Sequence, residues 1–374
     1  MGLFKKKDKQ SQPQSQSHPQ SQQLPPQQEH QQAGSHYQSP SRHPQSASAR
    51  GAASPSSSHP SKTTLSLHGL PLTVYGLSEL TPSSSRASSP PPPEVCLVVH
   101  MHGRGGSAES EEWICQGLWR SAMQEREDYL GTSNGSTQAA GGGSAARRGR
   151  EVLVVGFDAR NHGHRLTDEL AQKGWGVGNE QHAIDLYGMI LGTAADVSHI
   201  ISFLPSYLFP HDDRLITVNC VTGKSLGGHA VWHVLKDDPR VTIGVSMIGM
   251  PDYERLLEFR TKQSFKTNGP PTVPASLKKL VRLRDPPYCG YDRWGEGNPY
   301  WGKKVLALSG AQDKLVHPSF SQPFLSRLAI SHPEGRTGEQ VGLKVRWLDG
   351  VKHEVTEEMV REAGQWIGKW GLLG

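Results

Sequence analysis

The sequence predicts an α/β fold in which a mostly parallel sheet is covered by helices on both faces. Short, continuous apolar runs of the kind that form buried strands alternate with segments of helical spacing. Stretches rich in Gly, Pro and Ser separate these elements or stand before them, as expected of loops and tails. Apolar strands that alternate with helices indicate a parallel sheet, because parallel strands need helical crossovers.

The expected elements follow one another in a regular order. The strands are expected at 65–69, 72–77, 95–100, 151–157, 215–221, 241–248, 304–309 and 343–348. The helices are expected at 109–126, 179–204, 226–236 and 319–330, with a last helix from about residue 356. That last helix carries Val360, Ala363, Ile367 and Trp370 on one stripe, which is the spacing of an amphipathic helix.

Composition divides the chain into a tail and one folded domain. Residues 1–63 are rich in Gln, Ser and Pro, with few large apolar side chains, so we expect a disordered tail. Residues 64–374 are expected to form the folded domain, with low-complexity loop insertions at 81–94 and 131–150. Between 252 and 300 the regular alternation of elements lapses.

Charge and cysteine content exclude several classes of protein. The net charge of +5 arises in the tail, because residues 64–374 hold 33 basic and 33 acidic residues, so no nucleic-acid groove is expected. Four cysteines without CxxC spacing do not make a disulfide scaffold. No apolar run reaches the length of a membrane span and no signal peptide is evident, so we expect a cytoplasmic protein. The lysines behind Gly2 raise the alternative of peripheral membrane association. Oligomeric state is left open.

Residues 223–227 match the pattern G-x-S-x-G around Ser225. The pattern alone is weak, but here it follows a buried strand and opens a helix, which is where a nucleophile elbow belongs. Small neighbours such as Gly223 and Gly227 allow the sharp turn that exposes a serine hydroxyl. The helix N-terminus then directs N–H groups at charge that develops on a substrate.

A nucleophilic serine needs a base and a group that orients the base. Asp313 and His353 each fall in the turn after a separate predicted strand, and the chain order Ser225, Asp313, His353 suits such a triad. Asp252, which follows the preceding strand, is the alternative acid.

With these residues, the chain from about Val95 onward resembles the α/β-hydrolase superfamily, in the manner of an esterase, a lipase or a prolyl-oligopeptidase-like serine hydrolase. The segment from His100 to Gly106 is similar to the oxyanion loop of that superfamily. The resemblance implies that the backbone N–H groups of Arg104 and Leu226 form the oxyanion hole. It also implies a cap-like insertion at 252–300 and a structural role for the loop Asp158–Gly163.

The resemblance implies a serine hydrolase that cleaves an ester, thioester or amide through an acyl-enzyme. The expected substrate is a small-molecule or lipid-like acyl compound, and no motif requires a cofactor or metal. A non-catalytic scaffold of the same fold is the main alternative.

Two further alternatives are weaker. A P-loop would need glycine where Val218 stands, and a zinc hydrolase built on the pairs His100/His102 and His162/His164 would meet Arg104 in place of an acidic ligand.

Overall fold

A computed structural model describes residues 59–82, 92–134, 149–268, 273–334 and 339–373. The first 58 residues of the predicted tail, and most of both predicted loop insertions, lie outside the described residues. The described residues all belong to one compact unit. Its first strand begins at Lys62, two residues before the expected start of the domain.

The centre of the fold is an eight-stranded sheet with a strand at every expected position. Its strands are β1 (Lys62–Leu67), β2 (Leu70–Tyr75), β3 (Glu94–Met101), β4 (Glu151–Phe157), β5 (Leu215–Lys224), β6 (Val241–Met247), β7 (Lys304–Gly310) and β10 (Leu343–Leu348). The spatial order is β1-β2-β4-β3-β5-β6-β7-β10. All neighbours from β4 to β10 are parallel, whereas β2 pairs antiparallel with both β1 and β4. The mostly parallel sheet is therefore confirmed.

Helices cover both faces of the sheet, as predicted. They are α1 (Glu112–Asn134), α2 (His182–Leu208), α3 (Leu226–Asp237), α4 (Tyr253–Asn268), α5 (Ala275–Arg284), α6 (Pro318–Leu325) and α7 (Glu357–Ile367). Two separate apolar cores result. Residues of α2, α3 and α4 pack on one face of the sheet, and residues of α1 and α7 pack on the other.

Some predicted boundaries were wrong. Helix α1 continues through Asn134, into the predicted insertion 131–150, because one glycine costs a long helix only about 1 kcal/mol. The predicted helix 319–330 ends at Leu325, and the short hairpin of β8 (Pro333–Glu334) and β9 (Glu339–Gln340) was not predicted. Glu94, assigned to the insertion 81–94, belongs to β3.

Helix α2 is long and apolar enough to cross a membrane by length and composition alone. Most of its apolar window, 61%, is buried inside the fold, and residues such as Tyr187, Val197 and Ile200 lie in the core. A core helix passes the same test, so this finding adds little to the case for a membrane span.

The topology places the candidate functional residues together. In a parallel sheet the carboxyl ends of the strands share one edge, and β3, β5, β6, β7 and β10 run parallel to one another. The segment 252–300 follows β6 and contains α4 and α5, and its role as a cap stays a prediction.

Candidate active site

Ser225 stands on a strained turn between β5 and α3. Its backbone has φ 51° and ψ −107°, a conformation that residues other than glycine rarely adopt. The turn is held by its own hydrogen bonds, since the Ser225 N–H donates to the Met247 carbonyl at 2.9 Å and the Ser225 carbonyl accepts from the His229 N–H at 2.8 Å. The backbone thus has the sharp strand-to-helix geometry that the G-x-S-x-G pattern predicts.

Two glycines of the pattern are required by close backbone approach. A Cβ at Gly223 would lie 2.3 Å from the Gly227 carbonyl group, and a Cβ at Gly227 would lie 2.1 Å from the Met101 carbonyl oxygen. Both distances are far below contact, and backbone atoms cannot move aside as a flexible side chain can. Only glycine at these positions lets α3 start so close to β5 and β3.

The hydroxyl of Ser225 meets His353, and His353 meets Asp313. The Ser225 Oγ lies 2.9 Å from His353 Nε2, and His353 Nδ1 lies 2.7 Å from Asp313 Oδ2. A hydrogen bond joins the loops that carry Asp313 and His353, because Gln312 donates its N–H to the Val351 carbonyl at 3.0 Å. The structure therefore joins three predicted residues that are up to 128 positions apart in the chain.

The environment of Asp313 keeps its carboxylate charged. Burial alone would raise the pKa of Asp313, but the hydrogen bond from His353 and those from the N–H groups of Val316 and Leu315 hold it below its usual value. The two N–H groups reach Oδ1 at 2.9 and 2.8 Å. One oxygen is thus fixed by the backbone, and the other accepts from the imidazole.

A loop after β3 lies directly beside the serine. A Cβ added to Gly103 would be 3.5 Å from the Ser225 Cβ, so the next residue, Arg104, is at the edge of the site. The Gly227 N–H donates to the His102 carbonyl at 3.2 Å, which ties this loop to α3. Leu226 begins α3, and the first N–H groups of a helix have no acceptor within it. Leu226 and Arg104, the predicted oxyanion donors, therefore follow directly on Ser225 and on the glycine beside it.

Comparison with solved structures identifies the fold. TT1662 from Thermus thermophilus is similar with a TM-score of 0.53 and 18% sequence identity, over 83% of this chain and 98% of that chain. The chain has the α/β-hydrolase fold. The esterase Pf2001 from Pyrococcus furiosus gives a TM-score of 0.41 at 15% identity, over 86% and 97% of the two chains. A Mycobacterium tuberculosis puromycin-hydrolyzing peptidase gives 0.44 at 14% identity, over 84% of this chain and 39% of that chain. No family model and no curated protein matches the sequence.

Within this α/β-hydrolase fold, Asp252, the alternative acid, has a different partner from Asp313. Its carboxylate accepts the N–H of Arg255 at 2.9 Å and lies 3.4 Å from the Arg255 guanidinium. Burial raises the pKa of Asp252, in contrast to the lowered pKa of Asp313. The carboxylate that contacts His353 is that of Asp313.

Glu111 is a residue of the site that the sequence reasoning missed. Its carboxylate is 2.9 Å from His100 Nε2, accepts the Gly103 N–H at 3.0 Å and lies 3.2 Å from Lys224 Nζ. We refer to Glu111 with these three partners as the Glu111 network. Burial alone would raise the pKa of Glu111, but the hydrogen bond from His100 and the charge of Lys224 hold it below its usual value. The network joins the loop beside Ser225 to Lys224, the residue before Ser225.

The same contacts bear on the two weaker alternatives. Lys224, which a P-loop would direct at phosphates, pairs instead with Glu111. The ring nitrogens of His102 are 2.8 Å from the Gly103 carbonyl oxygen and 2.9 Å from the Ala159 N–H. Within the described ranges, no three His, Cys, Asp or Glu side chains are grouped to hold a metal ion.

The loop after β4 has the structural role that the resemblance implies. Asp158 accepts the N–H groups of Ala108 and His164, each at 2.8 Å, and so joins this loop to the one before α1. Arg160 pairs with Asp196 of α2 at 3.0 Å. These contacts join the loop to neighbouring segments of the fold, and none of them involves Ser225.

Proposed function

We propose that the protein is a serine hydrolase that cleaves ester, thioester or amide bonds through a covalent acyl-enzyme. The observation that carries the proposal is the unbroken chain of hydrogen bonds from Ser225 through His353 to Asp313. Nucleophile, base and orienting acid stand in the order that acyl transfer requires. The strained turn at Ser225 supports the same proposal, because strain of this kind is concentrated at reactive positions.

The geometry gives each group a role. His353 Nε2 accepts the proton of Ser225 as the hydroxyl attacks the carbonyl carbon, and the imidazolium later protonates the leaving group. Asp313 holds the Nδ1–H tautomer and stabilises the imidazolium. The N–H groups of Arg104 and Leu226 donate to the tetrahedral oxyanion, a contribution of about 3–4 kcal/mol per donor in comparable sites. Water then attacks the acyl-enzyme, with His353 again acting as base.

The decisive experiment is covalent labelling of Ser225. A fluorophosphonate probe phosphonylates only an activated serine, so we expect the full chain to be labelled and Ser225→Ala to remain unlabelled. Ser326→Ala, which removes an exposed hydroxyl outside the site, is the matched control and should label normally. Hydrolysis of 4-nitrophenyl butyrate should be lost together with labelling.

Two outcomes would contradict this proposal. Labelling that survives in Ser225→Ala would mean that another residue is the nucleophile. A folded protein that neither labels nor hydrolyses any ester, thioester or amide in a broad panel would favour the non-catalytic scaffold.

A further inference from the structure

Two arginines from different parts of the fold converge on one histidine beside the site. Arg104 belongs to the loop after β3, Arg260 belongs to α4, and His182 is the first residue of α2. The Nη1 atom of Arg104 lies 3.3 Å from His182 Nδ1, and that of Arg260 lies 3.3 Å from His182 Nε2. We refer to Arg104 and Arg260 as the arginine pair.

His182 can accept a hydrogen bond from only one of the two guanidinium groups. Its Nδ1 lies 2.9 Å from the Lys173 carbonyl oxygen, and a carbonyl requires a donor, so Nδ1 carries the proton. In a neutral imidazole Nε2 is then the acceptor, and Arg260 donates to it. The Arg104 guanidinium therefore faces the Nδ1–H group of His182, which cannot accept a hydrogen bond.

The imidazole is neutral for a physical reason. Burial lowers the pKa of His182 to about 4, and the positive charges of Arg260 and Arg104 act in the same direction. His182 therefore separates the arginine pair without neutralising either of them.

The charge of the arginine pair is not balanced by a carboxylate. Across the described ranges, neither guanidinium forms an ion pair with an Asp or Glu side chain, although Asp313 attracts Arg260 from a greater distance. Burial lowers the pKa of Arg260 to about 10, and repulsion by Arg104 adds to the effect. A partly buried pair of like charges is unfavourable unless an anion joins it.

The arginine pair belongs to segments that lie close to the candidate active site. Arg104 follows Gly103, whose Cα is adjacent to Ser225, and its own N–H is one of the proposed oxyanion donors. The charges of Arg260 and Asp313 are close enough to interact, and both Arg260 and His353 act electrostatically on the buried imidazole of His229. An anion held by both arginines would then lie close to an acyl compound bound at Ser225.

We propose that the arginine pair binds an anionic group, a carboxylate or a phosphate, carried by the substrate of the proposed hydrolase. Guanidinium groups suit both groups, because their planar N–H donors match pairs of oxygen atoms. Arg104 supplies guanidinium donors for which the described residues offer no carboxylate, and Arg260 adds the second charge. This inference rests on the proposed function and specifies its substrate class as anionic acyl compounds.

The test compares an anionic ester with a neutral ester of similar size. The ratio of kcat/KM for mono-4-nitrophenyl glutarate to that for 4-nitrophenyl butyrate isolates the charge, because both use the same triad. In the unmodified chain we expect the ratio to be well above 1. Arg260→Gln and Arg104→Gln should each lower it by about 10- to 100-fold, the effect of losing a charge-assisted hydrogen bond to a desolvated anion.

Lys262→Gln is the matched control, because it removes the same charge from an exposed position on the same helix. The ratio should not change in this variant. If Lys262→Gln lowers the ratio as much as Arg260→Gln does, the preference arises from general attraction and the inference is wrong. If the unmodified chain labels at Ser225 but prefers the neutral ester, the inference fails and the proposed function stands.

A binding measurement on the unmodified chain covers the case in which an arginine variant does not fold. Glutarate and inorganic phosphate are each tested as competitive inhibitors of 4-nitrophenyl butyrate hydrolysis. Inhibition by glutarate alone assigns the site to a carboxylate, and stronger inhibition by phosphate assigns it to a phosphate. Absence of inhibition by both anions, up to high millimolar concentration, overturns the inference.

Discussion

Two clusters near Ser225, the Glu111 network and the arginine pair, differ in how they hold buried charge. In the Glu111 network one carboxylate has three partners. The arginine pair holds two cations against one neutral imidazole, and no carboxylate lies close enough to pair with them among the residues described. A satisfied charge makes a rigid support, whereas an unsatisfied charge is suited to a ligand. The Glu111 network is therefore suited to aligning the residues around Ser225, and the arginine pair is suited to recognising a ligand.

The largest expected effect is on the Glu111 network. Glu111→Ala removes the carboxylate partner of the Gly103 N–H, of His100 Nε2 and of Lys224 Nζ, so it should lower the free energy of unfolding by about 3–5 kcal/mol. Urea unfolding at pH 7 measures this loss. The Asp252→Ala variant is a suitable control and should cost far less, because within the described residues the Asp252 carboxylate pairs only with nearby Arg255.

The same variant should show a pH signature. The pKa of Glu111 is lowered in the folded state, so its contribution is complete above the unfolded value of about 4.3 and is lost as pH falls through the folded value. The difference between wild type and Glu111→Ala should therefore shrink in acid. A difference that stays constant down to pH 3 would contradict a charged Glu111.

The next effect concerns His182. Its folded pKa of about 4 is below the unfolded value of 6.5, so the unfolded chain binds the proton first. Stability should therefore fall by about 3 kcal/mol between pH 6.5 and 4, as the linkage of 1.36 kcal/mol per unit implies. His182→Gln should remove this part of the pH dependence while leaving the part from Glu111. Identical unfolding profiles for the variant and wild type would show that His182 keeps an ordinary pKa.

The smallest effect has the opposite sign. Arg260→Met replaces a poorly paired cation with an apolar side chain of similar length, and we expect it to raise the free energy of unfolding by about 1 kcal/mol. The comparison predicts that loss of charge stabilises the chain at the arginine pair and destabilises it at the Glu111 network. If Arg260→Met destabilises the chain as Glu111→Ala does, the two clusters do not differ in this way.

Sequence alone predicted the parts of the site that local pattern determines. Strand ends, the G-x-S-x-G turn and the order of Ser225, Asp313 and His353 depend on short-range features, and the structure brings these residues together. Glu111 was not predictable, because an acidic residue before a helix is an ordinary helix-start signal. Its neighbour Gly103 was interpreted only as part of the loop pattern, and His100 as part of that pattern or of a zinc site.

The arginine pair could not be predicted from the sequence, for a different reason. Arg104 was singled out for its backbone N–H, and nothing in the pattern indicates the direction of its side chain. Arg260 and His182 lie 78 positions apart, on helices whose relative placement depends on the whole fold. Such a cluster is a property of tertiary packing and has no signal in the spacing of the sequence.

The strained backbone at Ser225 lowers the stability of its turn. A residue with a side chain at φ 51° and ψ −107° costs about 1–3 kcal/mol, and glycine would relieve most of that cost. Glycine, however, brings no oxygen atom to the end of β5. The turn is therefore less stable with serine than it would be with glycine, but serine provides a hydroxyl. The proposed hydrolase needs this hydroxyl, whereas a non-catalytic scaffold does not.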